Sequence, residues 1–213
     1  TNFVLHELGQ PLHAFDADKI KGKQIIVKHT SDKQKFITLD ESERELHSED
    51  LMICNIEEPM CIAGVFGGLE SGVNESTTSI FLESAYFNPV SVRKTAKRQG
   101  LNTDASFRFE RGIDPETVVY ALQRAALLIK EIAGGTISSE IQEFYPVQIQ
   151  NHRVSFNYDN CVRLIGTNIS EKIIDSILED LQIKQLSKTG KDLELEVPAF
   201  RNDVLRESDI TEE

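Results

Sequence analysis

The chain has 213 residues, 39% of them apolar and 27% charged, with a formal net charge of −12. That length suits one large domain or two small ones with a real core. The acidity argues against a surface given over to nucleic-acid phosphates, and no apolar run approaches the roughly 20 residues of a membrane-spanning helix.

Thr1-Asn2-Phe3-Val4 carries neither an initiator Met nor a basic-then-apolar leader, so the chain reads as a piece of something longer. From residue 24 to 70 the pattern is of short strands. Ile25 to His29 and Lys35 to Leu39 are β-branched or aromatic runs with polar ends, and Asp40-Glu41 marks a turn after the second. Leu51 to Cys54 and Cys61 to Val65 read as buried strands, the second broken by Gly67-Gly68. Ser79 to Phe87 is a further strand-like run. Asn88-Pro89 opens a helix that should stop at Gly100, since proline suits a first turn and glycine a C-terminal cap. Asp114-Pro115-Glu116 opens a longer one, with Val118, Val119, Leu122, Ala125, Ala126, Ile129 and Ile132 at helical spacing before Gly134-Gly135. Pro146 and the polar Gln148 to Asn151 mark a linker, which sets domains at 1–147 and 148–213. The second holds a short helix around Val162 and Leu164, then a helix capped by Ser170 with Ile173, Ile174, Ile177, Leu178 and Leu181 on one face. A hairpin turning at Thr189-Gly190-Lys191 completes it. The expected class is α+β: a mixed sheet with flanking helices, then a small helical, winged-helix-like domain.

Several groups could carry chemistry. His13 follows the Gly9-Gln10-Pro11 turn, whose restricted backbone holds it in one place; a locally satisfied histidine would look the same. Ala63-Gly64-Val65-Phe66-Gly67-Gly68 lacks the ending of a phosphate-binding loop, so its glycines read as points of close backbone approach. Glu83 stands among Ile80, Phe81 and Leu82, sharing a face with Phe81 by alternation. It either meets water on a polar face or serves a pocket, because an unpaired buried carboxylate costs several kcal/mol. The run Arg93-Lys94-Thr95-Ala96-Lys97-Arg98, with Arg108 and Arg111, is one basic strip in an acidic chain. The stretch from Asn102 to Pro115 reads as a salt-bridged loop. Asp203, Asp209, Glu212 and Glu213 could put carboxylates on neighbouring helical turns, oxygen ligands of the kind magnesium takes, or form an acidic helix start. Cys54, Cys61 and Cys161 make no Cys-x-x-Cys pair and read as buried thiols in a reducing cytoplasm.

Taken in order, Thr1-Asn2, Gly9-Gln10-Pro11-Leu12-His13-Ala14-Phe15-Asp16, Ala63 to Gly68, Phe81 to Phe87, Thr103 to Ser106 and Arg108 to Pro115 resemble the beta subunits of bacterial phenylalanyl-tRNA synthetases. Val197-Pro198-Ala199-Phe200-Arg201-Asn202-Asp203 is similar to the next module of that family. The resemblance implies hydrolytic editing of tyrosine misattached to tRNA(Phe), without a cofactor. It implies that His13, Glu83, Thr1 and Asn2 act in that chemistry and that Ala63, Gly64, Thr103 and Ala105 bind the substrate. Asp203, Asp209, Glu212 and Glu213 would be magnesium ligands at a site shared with an alpha subunit in a heterotetrameric, ATP-using, cytoplasmic ligase whose synthetic site lies outside this chain; weak or no metal binding is expected here. The implied partners are the acceptor end of tRNA(Phe) and the alpha subunit, with no membrane and no DNA. Phe107 departs from the family, which often has His there; its ring is expected to pack as a structural neighbour. Two rivals stay open: a tRNA-positioning or subunit-assembly module without catalysis, and a free-standing aminoacyl-ester hydrolase, against which the Val197 to Glu213 ending counts.

Overall fold

The computed structural model describes residues 1–213 and begins with a helix that no sequence pattern signals. This helix, α1 (Asn2–Leu8), buries only Val4 and Leu5 and ends at Gly9 with φ 72°, a left-handed conformation that glycine adopts without strain. Seven residues give too few turns for a periodic stripe to be read. Eight strands come next: β1 (Leu12–Asp16), β2 (Ile26–His29), β3 (Lys35–Ile37), β4 (Glu43–Glu45), β5 (Leu51–Cys54), β6 (Pro59–Ile62), β7 (Phe66–Gly67) and β8 (Ile80–Ser84). The α+β class holds, but every pairing is antiparallel and the strands divide into three small sheets: β1 with β8, β3 with β4, and the order β2-β5-β6-β7. The β5–β6–β7 links are too short for the crossover a parallel pair needs. Strand β6 ends at Ile62 rather than Val65, because Gly64 turns the chain at φ 71°.

Helix α2 (Pro89–Gln99) starts and stops where its sequence signals stand. The Asn88 side chain accepts from the Val90 and Ser91 N–H groups, and Gly100 closes the helix in the left-handed region. Helix α3 (Asp104–Phe109) replaces the expected salt-bridged loop. It is held by a capping box in which the Thr103 hydroxyl accepts from the Ser106 N–H and the Ser106 hydroxyl accepts from the Thr103 N–H. A 3-10 turn at Pro115–Thr117, capped by Asp114, leads into α4 (Val118–Ala133). Of α4, only Ala121 and Ala125 are fully buried and Ile132 is 80% exposed. The seam is thus narrower than the apolar spacing suggests.

The chain divides into two units, Thr1–Glu143 and Phe144–Glu213. In the first, Val92, Ala96 and Phe109 from α2 and α3 join Phe15, Met52, Cys61, Ile62 and Ala63 in the main core. The β1–β8 ribbon has two faces. Leu12 and Leu82 face a smaller cluster with Val4, Ala121 and Ala125, while the register sets His13 opposite Glu83 and Phe15 opposite Phe81 on the other.

The second unit holds β9 (His152–Asn157), α5 (Tyr158–Ile165), α6 (Glu171–Asp180), β10 (Lys184–Thr189), β11 (Asp192–Val197) and α7 (Glu207–Glu212). The antiparallel order is β10-β11-β9. Its core gathers Val154, Phe156, Tyr158, Ile174, Leu178, Leu193 and Leu195. Helices on a small sheet with a hairpin fit the winged-helix-like expectation. Ser170 stands at the start of α6 but its side chain makes no capping bond, and Ile173 and Ile177 lie exposed where a buried face was expected.

Candidate functional site

Two cross-strand pairs meet at one spot in the first unit. The β1–β8 ribbon supplies His13 and Glu83, and the β6–β7 hairpin supplies Cys61 and Gly67, which are also direct register partners. A side chain on Gly67 would begin 2.6 Å from His13 Cε1 and 3.1 Å from its Nε2, so this edge of the imidazole lies close against bare backbone. Phe15 packs against the same ring, edge to face, at 4.4 Å between centroids. His13 Nε2 is buried and has no hydrogen-bond partner. Burial lowers the pKa of this imidazole from its ordinary 6.5, which keeps it neutral at neutral pH.

Glu83 is half-buried, and burial alone lifts its carboxyl from 4.5 to about 7. It makes no ion pair, and its charge lies close enough to Cys61 to raise that thiol further, above what burial alone does. Cys61 is itself engaged with the carbonyls of Ile62 and Phe66. The site therefore pairs an uncompensated carboxyl with a neutral imidazole on an apolar floor. Such a pair can accept a hydrogen bond at one end and a proton at the other.

Ala63 and Gly64 form the turn two residues beyond Cys61. A Cβ on Gly64 would lie 2.9 Å from the Phe87 ring and 3.1 Å from both Phe109 and Val92. The Thr103 hydroxyl donates to the Val65 carbonyl at 2.8 Å, so the start of α3 is tied to this turn, and Ala105 packs against the same core. Ala63 also lines a cavity of about 240 Å³ with His29, Leu51, Phe87, Asn88, Ser91, Val92 and Thr95. Neither His13 nor Glu83 lines it, so the cavity does not contain the pair. Thr1 and Asn2 are exposed at the start of α1, whose Val4 packs on the ribbon face away from His13 and Glu83. No bond ties Thr1 or Asn2 to that pair. Sequence reasoning does not single out Gly67 and Cys61 as neighbours of the site; the Gly67-Gly68 doublet is the available signal. Phe107 does not pack inward but is 42% exposed, with the Arg111 guanidinium 3.6 Å from its ring centroid.

The four acidic residues of the second unit do not converge. No three of them gather into a group that could hold a metal ion. Asp209 Oδ2 accepts from the N–H groups of Leu205 and Arg206 at 3.0 and 2.9 Å, capping α7, and Glu213 pairs with Arg201 at 3.4 Å. Asp203, Asp209, Glu212 and Glu213 thus form no preassembled cation site within this chain. All three cysteines are free and buried, and no helix is long and apolar enough to cross a membrane.

Residues 1–134 match the B3/4 domain family and residues 154–213 the tRNA synthetase B5 domain family. The whole chain is 55% identical to a phenylalanine–tRNA ligase beta subunit of Bacteroides thetaiotaomicron, covering 26% of that protein. It is 51% identical to the Porphyromonas gingivalis subunit and 42% to that of Geobacter sulfurreducens, covering 26% and 27% of them. The chain thus spans about a quarter of the length of these relatives. A crystal structure of an N-terminal fragment of the Pyrococcus horikoshii phenylalanyl-tRNA synthetase beta subunit superposes over 99% of this chain and 60% of that one, with 17% identity and a TM-score of 0.48.

Proposed function

This chain belongs to the phenylalanine–tRNA ligase beta-subunit family, as a B3/4 domain followed by a tRNA synthetase B5 domain, and on that premise we propose that its first unit hydrolyses tyrosine from mischarged tRNA(Phe). The observation that carries this reading is the direct opposition of Glu83 and His13, one a half-buried carboxyl without a cation and the other a neutral imidazole. A synthetic pocket that accepts phenylalanine cannot strongly reject the same ring with one added hydroxyl. A second site can demand that hydroxyl. With tyrosine bound, the phenol donates to Glu83; with phenylalanine bound, the buried carboxyl keeps its desolvation cost without a partner.

The hydrogen bond also acts on the acid's protonation. With a pKa near 7 the free carboxyl is about half ionised at neutrality, and a phenol donor favours the ionised form. Burial therefore makes tyrosine binding and Glu83 ionisation mutually supporting. His13, neutral and unpartnered at Nε2, is the group suited to take a proton from water. The water oxygen bonds to the ester carbonyl carbon, the bond to the ribose oxygen breaks, and that oxygen takes up a proton. Free tyrosine and uncharged tRNA leave. The Ala63-Gly64 turn, tied to Thr103 through the Val65 carbonyl, would support the aminoacyl group. The second unit and the remainder of the longer protein would hold the tRNA and an alpha subunit.

A deacylation assay on Tyr-tRNA(Phe) and Phe-tRNA(Phe) tests the reading. Glu83→Ala should abolish the preference for tyrosine. Equal hydrolysis of Tyr-tRNA by variant and wild type would remove Glu83 from its assigned role.

A further inference from the structure

We infer that the outer faces of α2 and α3 form a track for the single-stranded 3′ end of the RNA, with Phe107 as the platform on which one base stacks. This rests on the editing reading for its choice of partner, and on three observations for its place. First, the chain is strongly acidic, yet Arg93, Lys94 and Lys97 project together from the exposed face of α2 and enter no ion pair, whereas neighbouring Arg98 is tied to Glu49 and Asp50. Free cations grouped on one helix face of an anionic protein suit a polyanionic strand.

Second, Phe107 is an exposed aromatic ring whose position is already fixed. The Arg111 guanidinium lies over it at 3.6 Å, anchored in turn by the Phe107 carbonyl and by Glu110, and Arg108 stands 5.9 Å from the centroid. A ring held on one face by a guanidinium offers its other face to a base, and the cation adds favourable charge for the adjoining phosphate. Phe107 is one helical turn beyond Thr103, which is bonded to the Val65 carbonyl beside the candidate site. The track thus ends where the aminoacyl group would be presented.

Third, α2 and α3 pack against each other and bury their inner sides in one core, which sets Phe107 and the α2 cations on adjoining helices. From Lys94 a concavity of about 430 Å³ shares His29, Asn88 and Ser91 with the smaller cavity that reaches Ala63. Lys94, at the edge of the cationic face, therefore stands beside a groove leading inward, lined also by Glu49 and Arg98. Phosphates along Arg93, Lys94 and Lys97 would give affinity without base selection, and the Phe107 stack would fix how far the strand advances.

The test uses the full-length protein and deacylated tRNA(Phe) carrying 2-aminopurine as its 3′-terminal base. Binding to wild type should quench the fluorescence of that base. Phe107→Ala should lose the quench and weaken binding about tenfold, the loss of one stacked base, and Phe107→His should restore the quench. Combined Arg93→Gln, Lys94→Gln and Lys97→Gln should flatten the slope of log affinity against log salt by about 2, leaving the quench in the bound state. Variants that keep the wild-type quench and salt slope would overturn the track. Wild-type hydrolysis of Tyr-tRNA, measured alongside, reads the editing assignment separately: its absence counts against that assignment, whatever the fluorescence reports.

Discussion

Glu83 and Gly67 show how single residues set the chemistry of this site. In the folded chain the Glu83 carboxyl titrates near 7 instead of 4.5, so the folded state holds a proton that the unfolded chain releases between those values. Stability therefore falls as pH rises from about 4.5 to about 7 and stays reduced above it. Glu83→Gln removes that titration. The variant should match wild type near pH 4 and exceed it near pH 8, by at most about 3 kcal/mol. Urea melts at both pH values check this, and a stability difference that does not change with pH would contradict it. Gly67 acts by having no side chain. In Gly67→Ala the added carbon would sit 2.6 Å from His13 Cε1 and 2.9 Å from Leu39 Cδ1, displacing the imidazole. A loss of about 1–3 kcal/mol is expected from such overpacking, together with slower Tyr-tRNA hydrolysis. An unperturbed rate would mean that the position of His13 does not matter to the reaction.

At the scale of elements, α2 is fixed at its ends by local signals and along its length by Asp50. This carboxylate, fully buried, accepts from the Thr95 hydroxyl at 2.9 Å, the Gln99 amide at 2.9 Å and the His47 N–H at 3.0 Å, and pairs with Arg98. Asp50→Ala leaves the Arg98 guanidinium and these donors without their acceptor. A loss of about 3–5 kcal/mol is expected in denaturant unfolding; a loss under 1 kcal/mol would show that α2 is held by its apolar face alone. The ends of α2 are legible in the sequence because Asn88-Pro89 and Gly100 act locally. Helix α3 is not, because six residues carry no periodic stripe and its capping box uses Ser106 where Glu or Gln would announce it. Strand β1 escapes notice for a related reason: only Phe15 and Asp16 of its five residues are buried. Its hydrogen-bonding partner, β8, lies far along the chain. The candidate site is legible as parts. His13 and Glu83 each stand out, but their register is long-range pairing, which no local pattern encodes. The glycines announce a close approach without saying that His13 is what approaches.

Over the whole molecule, two units with separate apolar cores divide the chain between Glu143 and Phe144. The acidic excess is spread along the chain while unpaired cations collect on α2, so net charge alone misjudges the surface that could meet RNA. In the second unit Asp209 caps α7 and Glu213 pairs with Arg201, contacts that the spacing of the acidic residues does not reveal. What ties these scales together is one uncompensated acid on an apolar floor, whose ionisation a bound phenol would favour. Isotope-edited carbon NMR of the Glu83 carboxyl, carried through pH with and without a non-hydrolysable tyrosyl ester analogue and its phenylalanyl counterpart, addresses this directly. Titration near 7 is expected in the free protein, with a clear drop on adding the tyrosyl analogue and none with the phenylalanyl one; a carboxyl that titrates near 4.5 and responds alike to both would contradict the proposed role of Glu83.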